Sequence, residues 1–210
     1  MEQVVTSLYL LRHGETQWNV EKRFQGSKDS PLTEVGKRQA QSHGTLLQNV
    51  GVTNIICSTL GRVRETIRII QAVWQGTVIY DERLRELGAG AWEGLTFIEV
   101  ADQYPSLMSR SKRWRFDFKP PGGESNRELR SRLEPLLAEV ITTPYDLAIV
   151  THGAVLRMLL ELLLDMPFQE NPTFTIGNET VFRIDNLRDA TQCFHYLDGR
   201  LPIPGLPINT

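Results

Sequence analysis

The stretch LYLLRHGET, residues 8–16, joins an apolar run to a polar turn, and this junction decides the fold. Leu8–Leu11 predicts a short buried strand, since apolar runs of about four to eight residues bounded by turn signals are typical of strands. The sequence then becomes polar at Arg12-His13-Gly14-Glu15-Thr16. A buried strand that ends in charged residues favours an α/β sheet with a functional edge.

Three more apolar runs, at 54–57, 77–80 and 146–151, lead into polar turns in the same way. These turns read Ser58-Thr59-Leu60-Gly61-Arg62, Leu84-Arg85-Glu86 and Thr151-His152-Gly153. Short apolar strands that alternate with amphipathic segments are typical of α/β folds. We therefore expect a single three-layer α/β/α domain over residues 1–198, with a mostly parallel sheet.

Amphipathic stretches between the strands predict helices at 33–50, 60–74, 125–141 and 152–164. Thr33 suits the N-cap of the first helix, and Ser125 with Glu128 forms a capping box for the third. Pro135 lies inside the third helix and predicts a bend or a split there. Two final strands, at 179–184 and 192–197, are expected to pair antiparallel.

Two segments depart from this alternation. Residues 91–121 are rich in aromatic and basic side chains, end in Pro120-Pro121-Gly122-Gly123, and predict a small inserted flap over the active site. Residues 199–210 contain three prolines and predict an irregular tail. The apolar tail is compatible with packing on its own domain or with a homodimer contact.

The bulk composition excludes several classes of partner. The 210 residues carry a net charge of −2 with a pI near 6.1, so no strong attraction to nucleic acid or to an anionic membrane is expected. The apolar segment 154–164 contains Arg157 and Glu161 and is too short to cross a bilayer. Two cysteines and the absence of a signal-like N-terminus favour a cytoplasmic protein.

The polar turns predict a phosphate pocket. Parallel strands present their carboxyl ends at one edge, which brings together Arg12, His13, Arg62, Glu86 and His152. Arginines and open helix N-termini suit a dianion, and the glycines at 14, 61 and 153 are expected to let the backbone approach it.

These residue types also suggest a reaction. A neutral histidine held by its other ring nitrogen can accept a phosphoryl group, which makes His13 the candidate nucleophile. The arginines and His152 would then stabilise the charge on the phosphoryl oxygens. A carboxyl group can protonate the leaving oxygen, and Glu86 is the candidate for this role.

The ordered set of motifs resembles the histidine phosphatase superfamily, the phosphoglycerate mutase-like proteins. The motifs are residues 10–19, Arg23, Gln25-Gly26, Asp29, residues 31–33, Ser58, Arg62, residues 84–86, residues 90–94, residues 122–125 and residues 151–157. The resemblance implies a phosphorylated His13, a phosphate pocket of Arg12, Arg62 and His152, and Glu86 as proton donor. It also implies that Asn19, Gln25 and Gly26 line the pocket together with Gly153, and that neither a metal nor a cofactor is needed.

The resemblance further favours a phosphatase branch, similar to α-ribazole phosphatase-like and broad-specificity phosphatases, because the insertion is short. The expected substrate is a small phosphorylated metabolite. Two alternatives remain open at this point. One is a mutase of the phosphoglycerate type, and the other is a non-catalytic module that binds a phosphate ligand.

Several residues admit a structural interpretation beside a functional one. Arg62 and Glu86 could instead form a surface ion pair with each other. Glu15 is interpreted either as a residue that supports the arginines or as a second catalytic acid. His43 and His195 are interpreted as structural, and Cys57 as a buried strand residue. The basic and aromatic segment 110–119 fits a substrate-selecting flap, with Arg113 or Arg115 meeting a second anionic group. A plain solvated face and an RNA-binding patch are its alternatives.

Overall fold

Six of the seven strands in the described residues form where the sequence predicts them. A computed structural model describes residues 7–110, 116–168, 174–187, 191–197 and 201–207. Within these residues the strands are β1 (Ser7–Arg12), β2 (Asn54–Ser58), β3 (Thr77–Asp81), β4 (Leu147–Thr151), β5 (Thr180–Asp185), β6 (Gln192–Leu197) and β7 (Ile203–Pro204). They form one sheet in the order β3-β2-β4-β1-β5-β6-β7. The first four strands of this order run parallel, and β5, β6 and β7 are added antiparallel.

The helices connect these strands across both faces of the sheet. They are α1 (Gln17–Val20), α2 (Glu34–Asn49), α3 (Gly61–Ile70), α4 (Phe97–Gln103), α5 (Pro105–Arg110), α6 (Asn126–Val140) and α7 (Gly153–Leu163). Short 3₁₀ turns occupy Glu82–Leu84 and Gly90–Trp92. The predicted caps are present, since Thr33 Oγ1 accepts from Gly36 N at 3.0 Å and Ser125 Oγ accepts from Glu128 N at 3.2 Å.

The alternating side chains of β1 divide the core into two layers. Leu8 and Leu10 pack with the apolar faces of α6 and α7 on one side of the sheet. Tyr9 and Leu11 pack with α2 and α3 on the other side. This division follows from the two-residue period of a strand. It confirms the predicted single α/β domain with helices on both faces of the sheet.

Helix α3 is shorter than predicted. It ends at Ile70, where the carbonyl accepts the peptide N–H groups of both Val73 and Trp74 in a closing turn. Trp74 remains in the core with 1% of its surface exposed, and its indole N–H donates to the Val52 carbonyl at 2.5 Å. The apolar periodicity therefore predicted correctly that Trp74 is buried, but it predicted incorrectly that Trp74 belongs to the helix.

Helix α6 is continuous through Pro135, so the predicted split is wrong. Proline lacks the N–H that would bond the carbonyl of Ser131 four residues earlier. Both Ser131 and Pro135 lie on the exposed side of the helix. Water can satisfy that carbonyl there, while Leu133 and Leu136 keep the opposite face buried.

The two irregular segments contain more regular structure than predicted. In the tail, β7 pairs with β6 through Phe194 opposite Pro204 and His195 opposite Ile203. Ordinary backbone pairing thus extends the sheet into a region predicted to be irregular. The insertion holds α4 and α5, and α4 begins with a capping box of Thr96 and Glu99.

The turn after β1 packs against the first turn of α2 through two glycines. A Cβ atom on Gly36 would lie 2.0 Å from the Glu15 carbonyl oxygen, and one on Gly14 would lie 2.3 Å from the Gly36 oxygen. Thr33 N also donates to the Glu15 carbonyl at 2.9 Å. Gly14 is therefore needed for the contact with α2, which replaces the predicted close approach to a ligand.

We expect Gly36→Ala to destabilise the protein by about 1–3 kcal/mol, as overpacking of a filled contact does. Alanine normally stabilises a helix relative to glycine, so the expected sign is reversed by the backbone contact. Urea unfolding measures the change. Gln41→Ala, at an exposed position of α2, is the control and should alter stability by no more than about 0.5 kcal/mol. A stabilised Gly36→Ala variant would contradict this interpretation.

Candidate active site

The register of the parallel strands brings two histidines together. Arg12 lies opposite Thr151 in the pairing of β1 with β4, and His13 N donates to the Thr151 carbonyl at 2.9 Å. His13 and His152 directly follow these paired residues, and their ring centroids are 5.3 Å apart. The histidine pair is therefore a consequence of strand register.

His13 is held as a buried, neutral imidazole. Its exposed fraction is 1%, and its Nδ1 lies 2.8 Å from the Gly14 carbonyl oxygen. Since a carbonyl oxygen only accepts, the ring proton sits on Nδ1 and Nε2 keeps its lone pair. Burial, and then the charges of Arg12 and Arg62, hold the pKa of His13 well below the usual 6.5. The ring is thus fixed in the tautomer that a nucleophile requires.

His152 is buried beside it in a different hydrogen-bonded setting. Its Nε2 lies 2.7 Å from the hydroxyl of Ser58, at the end of β2. Burial, followed by the charge of Arg62, lowers the pKa of His152 well below 6.5. Its buried Nδ1 has no hydrogen-bond partner among the described residues. His152 therefore adds hydrogen-bonding capacity to the site without adding a charge at neutral pH.

Arg62 is buried and holds the loop between α1 and α2. Its Nη2 donates to the Gly26 carbonyl at 2.9 Å, and its Nη1 donates to the Lys28 carbonyl at 2.6 Å and to Asp29 Oδ1 at 2.9 Å. Burial lowers the pKa of Arg62, and the charges of Glu86 and Asp29 oppose that shift. The alternative of a surface ion pair with Glu86 is wrong, because Arg62 is 1% exposed and pairs with Asp29.

Asp29 also occupies the N-terminus of α3. Its two carboxylate oxygens accept from Gly61 N at 2.7 Å and from Arg62 N at 3.1 Å. We predicted that this helix end would be open to phosphate, and the structure contradicts that prediction. A fixed carboxylate already satisfies these N–H groups, so they are not available to a phosphate. A Cβ on Gly61 would lie 2.8 Å from Asp29 Oδ2, which accounts for the glycine there.

Arg12 supplies a second cation at the same edge. Its Nη1 donates to the Ile176 carbonyl at 2.9 Å, and burial lowers its pKa. The Nε atoms of both Arg12 and Arg62 are buried and have no hydrogen-bond partner in the described part of the chain. Two buried guanidinium groups with unused donors suit an anionic ligand.

Glu86 follows the 3₁₀ turn after β3 and faces the arginines. Its Oε1 accepts from Leu87 N at 2.9 Å, and its Oε2 lies 3.5 Å from Ala154 N in the first turn of α7. It is half-buried, and its charge acts on both Arg12 and Arg62. A carboxyl group is therefore available beside the histidine and the cations.

A cavity of about 350 Å³ opens onto these groups. Seven of the predicted site residues line it: Arg12, His13, Asn19, Gln25, Gly26, Glu86 and Gly153. Arg62 and His152 are buried and do not line the cavity, although His152 contacts His13, which does. Asn19 has a second task, since its Oδ1 accepts from Thr16 N at 3.0 Å in the capping box of α1.

Aromatic side chains form much of the remaining wall. Trp92 stacks on Phe118 with ring centroids 5.4 Å apart and contacts Phe24 at 5.7 Å. Phe168 lines the same cavity. The predicted roles of Arg113 and Arg115 fall outside the described residues, as do Lys112 and Trp114. The described insertion thus contributes an apolar wall.

Other titratable residues lie apart from this chemistry. The Glu15 carboxylate accepts from Thr33 Oγ1 at 2.7 Å, so the prediction that it supports the arginines is wrong. His43 is buried in α2, where burial lowers its pKa to about 4. His195 Nδ1 lies 2.7 Å from the Gly205 carbonyl oxygen. Cys57 is buried in β2, and burial raises its pKa to about 12.

Sequence reasoning missed one residue that holds the nucleophile in place. Asn178 Nδ2 donates to the His13 carbonyl at 2.7 Å across a separation of 165 residues. In the sequence, Asn178 looks like an ordinary turn residue before β5, because Asn is common in turns. No local pattern indicates that it contacts His13.

The described residues provide neither a metal site nor a membrane-spanning helix. No group of three or more His, Cys, Asp or Glu side chains there is arranged to hold a metal ion. Nor do the described helices include one with the length and apolar character needed to cross a membrane.

Comparison with known proteins gives consistent matches along the chain. The protein named "Probable phosphoglycerate mutase GpmB" from Salmonella paratyphi B is 37% identical over 187 residues, which cover 85% of this chain and 84% of the relative. The α-ribazole phosphatase structure from Shigella flexneri has a TM-score of 0.79 at 28% identity, covering 98% and 99% of the two chains. The native mycobacterial glucosyl-3-phosphoglycerate phosphatase has a TM-score of 0.75 at 30% identity, covering 86% and 90%.

The family model of the histidine phosphatase superfamily (branch 1) matches residues 8–198, which include both histidines, both arginines and Glu86. With this match and the shared fold, the chain belongs to the histidine phosphatase superfamily, branch 1.

Proposed function

We propose that the protein is a metal-independent phosphatase that hydrolyses small phosphomonoesters through a phosphohistidine on His13, with Glu86 as the proton donor. One observation carries this proposal. The His13 imidazole is buried beside two cationic side chains and is anchored at Nδ1 by the Gly14 carbonyl. Such a ring is a nucleophile at Nε2 and lies where an anionic substrate is attracted.

In the first half-reaction, Nε2 of His13 attacks phosphorus and the bond from phosphorus to the ester oxygen breaks. The leaving oxygen takes a proton from the Glu86 carboxyl group. Arg12 and Arg62 stabilise the charge of the transferring phosphoryl group, and His152 adds a neutral hydrogen-bonding group. Because these groups are already held by the surrounding backbone, little reorganisation is needed during the reaction.

In the second half-reaction, Glu86 acts as a base toward a water molecule. The water oxygen attacks phosphorus, the bond between phosphorus and Nε2 breaks, and the water proton passes to Glu86. Inorganic phosphate leaves, and His13 returns to its neutral form. Glu86 is again a carboxylic acid, so the cycle closes without a metal ion.

A phosphoglycerate mutase-type transfer is the second candidate. It is favoured by the 37% identity to the Salmonella protein, whose name assigns that activity to the relative. Both candidates share the first half-reaction and differ in the acceptor of the phosphoryl group. The similarity to solved phosphatase structures favours water as the acceptor.

We expect phosphate release from an aryl phosphate or a sugar phosphate to persist in EDTA and to fall by a factor of about 10³ or more in His13→Ala. The loss follows from removal of the nucleophile. The measurement is inorganic phosphate release over a panel of phosphomonoesters. His195→Gln is the matched control, since His195 lies on β6 away from the cavity, and its activity should be unchanged.

The same experiment separates the alternatives. Isomerisation of 3-phosphoglycerate with little phosphate release would establish the mutase instead. Binding of inorganic phosphate without turnover of any ester would establish a binding module. Full activity in His13→Ala would refute the assignment of the nucleophile.

The second prediction of this mechanism concerns pH. An imidazole with the ordinary pKa of 6.5 is only about 10% neutral at pH 5.5. Because the pKa of His13 is lowered, the ring of the free protein should stay neutral at that pH instead of falling to about a tenth neutral. NMR titration of the ring, assigned by the signals missing in His13→Ala, measures this directly. A midpoint at or above 6.5 would contradict the arrangement described for the site.

A further inference from the structure

Four consecutive carbonyl groups before and at Glu86 are held by side chains. The Leu84 carbonyl accepts from Thr151 Oγ1 at 2.7 Å. Those of Arg83, Arg85 and Glu86 all accept from the guanidinium of Arg132 on α6. A segment of irregular backbone normally relies on water for such contacts. Here it is fixed from both sides, by β4 and by α6.

Arg132 makes these contacts as a fork. Its Nη2 donates to the Arg85 carbonyl at 2.7 Å and to the Glu86 carbonyl at 3.3 Å, while Nη1 donates to the Arg83 carbonyl. The planar guanidinium can reach several acceptors at once because its donors are rigidly spaced. A lysine ammonium group, on a flexible aliphatic side chain, could not donate to the same set of carbonyls.

Glu124 completes the arrangement on the other side of Glu86. It accepts from Arg132 Nε at 2.6 Å and from Nη2 at 2.9 Å, with side chains only 20% and 22% exposed. Its Oε2 also accepts from Gly88 N at 3.3 Å, and its own N–H donates to the Gly88 carbonyl at 2.8 Å. The backbone before Glu86, at Arg83 and Arg85, and after it, at Gly88, therefore forms hydrogen bonds with the ion pair of Arg132 and Glu124.

We infer that Arg132, oriented by Glu124, is a positioning residue that fixes the proton donor Glu86. The inference rests on the proposed function, because it concerns the acid of that reaction. A proton donor must lie within hydrogen-bonding distance of the leaving oxygen, and a displacement of about 1 Å can cost about 10²-fold in rate. Arg132 holds the backbone from which the Glu86 side chain extends, and it is absent from the cavity wall.

The test compares two aryl phosphates that differ in their need for a proton. Phenyl phosphate releases a basic phenolate that requires an acid, whereas 2,4-dinitrophenyl phosphate releases a stable anion that does not. The value to compare is kcat/KM, which reports the steps up to release of the phenol. In Arg132→Met we expect it to fall by about tenfold or more for phenyl phosphate and by less than about threefold for the dinitrophenyl ester.

Two further variants distinguish positioning from general loss of structure. Glu124→Gln removes the charge that orients Arg132 and should show the same selective loss to a smaller degree. Adding Arg132→Met to Glu86→Gln should cost little more than Glu86→Gln alone, since the group to be positioned is already missing. Arg130→Met is the matched control, because Arg130 is exposed on the same helix and pairs with Glu134 at 2.7 Å. Its kinetics should equal those of the wild type.

The outcomes separate this inference from the proposed function. An equal loss for both esters in Arg132→Met and Glu124→Gln would overturn the inference, and so would unchanged kinetics in both folded variants. The phosphatase proposal would survive either result as long as the wild type depends on His13. If Arg132→Met fails to fold, Glu124→Gln alone decides, by the loss of kcat/KM for phenyl phosphate relative to the loss for the dinitrophenyl ester. A wild type that hydrolyses neither aryl ester would overturn this inference, whereas the proposed function is rejected only if no phosphomonoester of the panel releases phosphate.

Discussion

The burial of two guanidinium charges at the carboxyl edge of a parallel sheet is the constraint on which the rest of the site depends. A buried cation is costly unless its donors are satisfied. Arg62 meets this requirement in part, with the carbonyls of Gly26 and Lys28 and the carboxylate of Asp29, and Arg12 meets it in part with the Ile176 carbonyl. The Nε donors of both arginines keep no partner among the described residues, which is why the pair suits an anion. Burial keeps His13 and His152 neutral by lowering the pKa of each, and the same charges add to that effect. Loop conformation, histidine protonation and affinity for an anion therefore all depend on these two charges.

The backbone around the cavity is fixed by polar side chains more than by secondary structure. Asn178 holds the carbonyl of His13, Arg62 holds the loop before α2, and Arg132 holds the backbone at Glu86. Each contact spans a long separation along the chain, so each loop is held by a distant element. A site built mostly from loops is thereby held by contacts from packed elements, as the proposed reaction requires. The backbone contact between Gly14 and Gly36 contributes the same rigidity through packing alone.

The cavity joins two different surfaces. The edge with His13 and the arginines carries the polar and charged groups, and it lies within the residues that the family model matches. The opposite wall includes Trp92 and Phe118 from the insertion. In the proposed reaction, the strand ends would bind the phosphoryl group and the insertion would contact the alcohol part of the ester.

The sequence by itself determined the α/β class, most strand and helix positions and the set of residues at the strand ends. These features depend on local periodicity, capping and the rule that parallel strands share a carboxyl edge, all of which can be read within a few residues. Only the tertiary structure decided that Asp29 closes the N-terminus of α3, that Glu15 binds Thr33 instead of an arginine, and that α6 continues through Pro135. It also decided the contacts of Arg132, which looks like any polar residue of an amphipathic helix. The physical reason is that a hydrogen bond between distant segments depends on how they pack, and no local pattern in the chain encodes that packing.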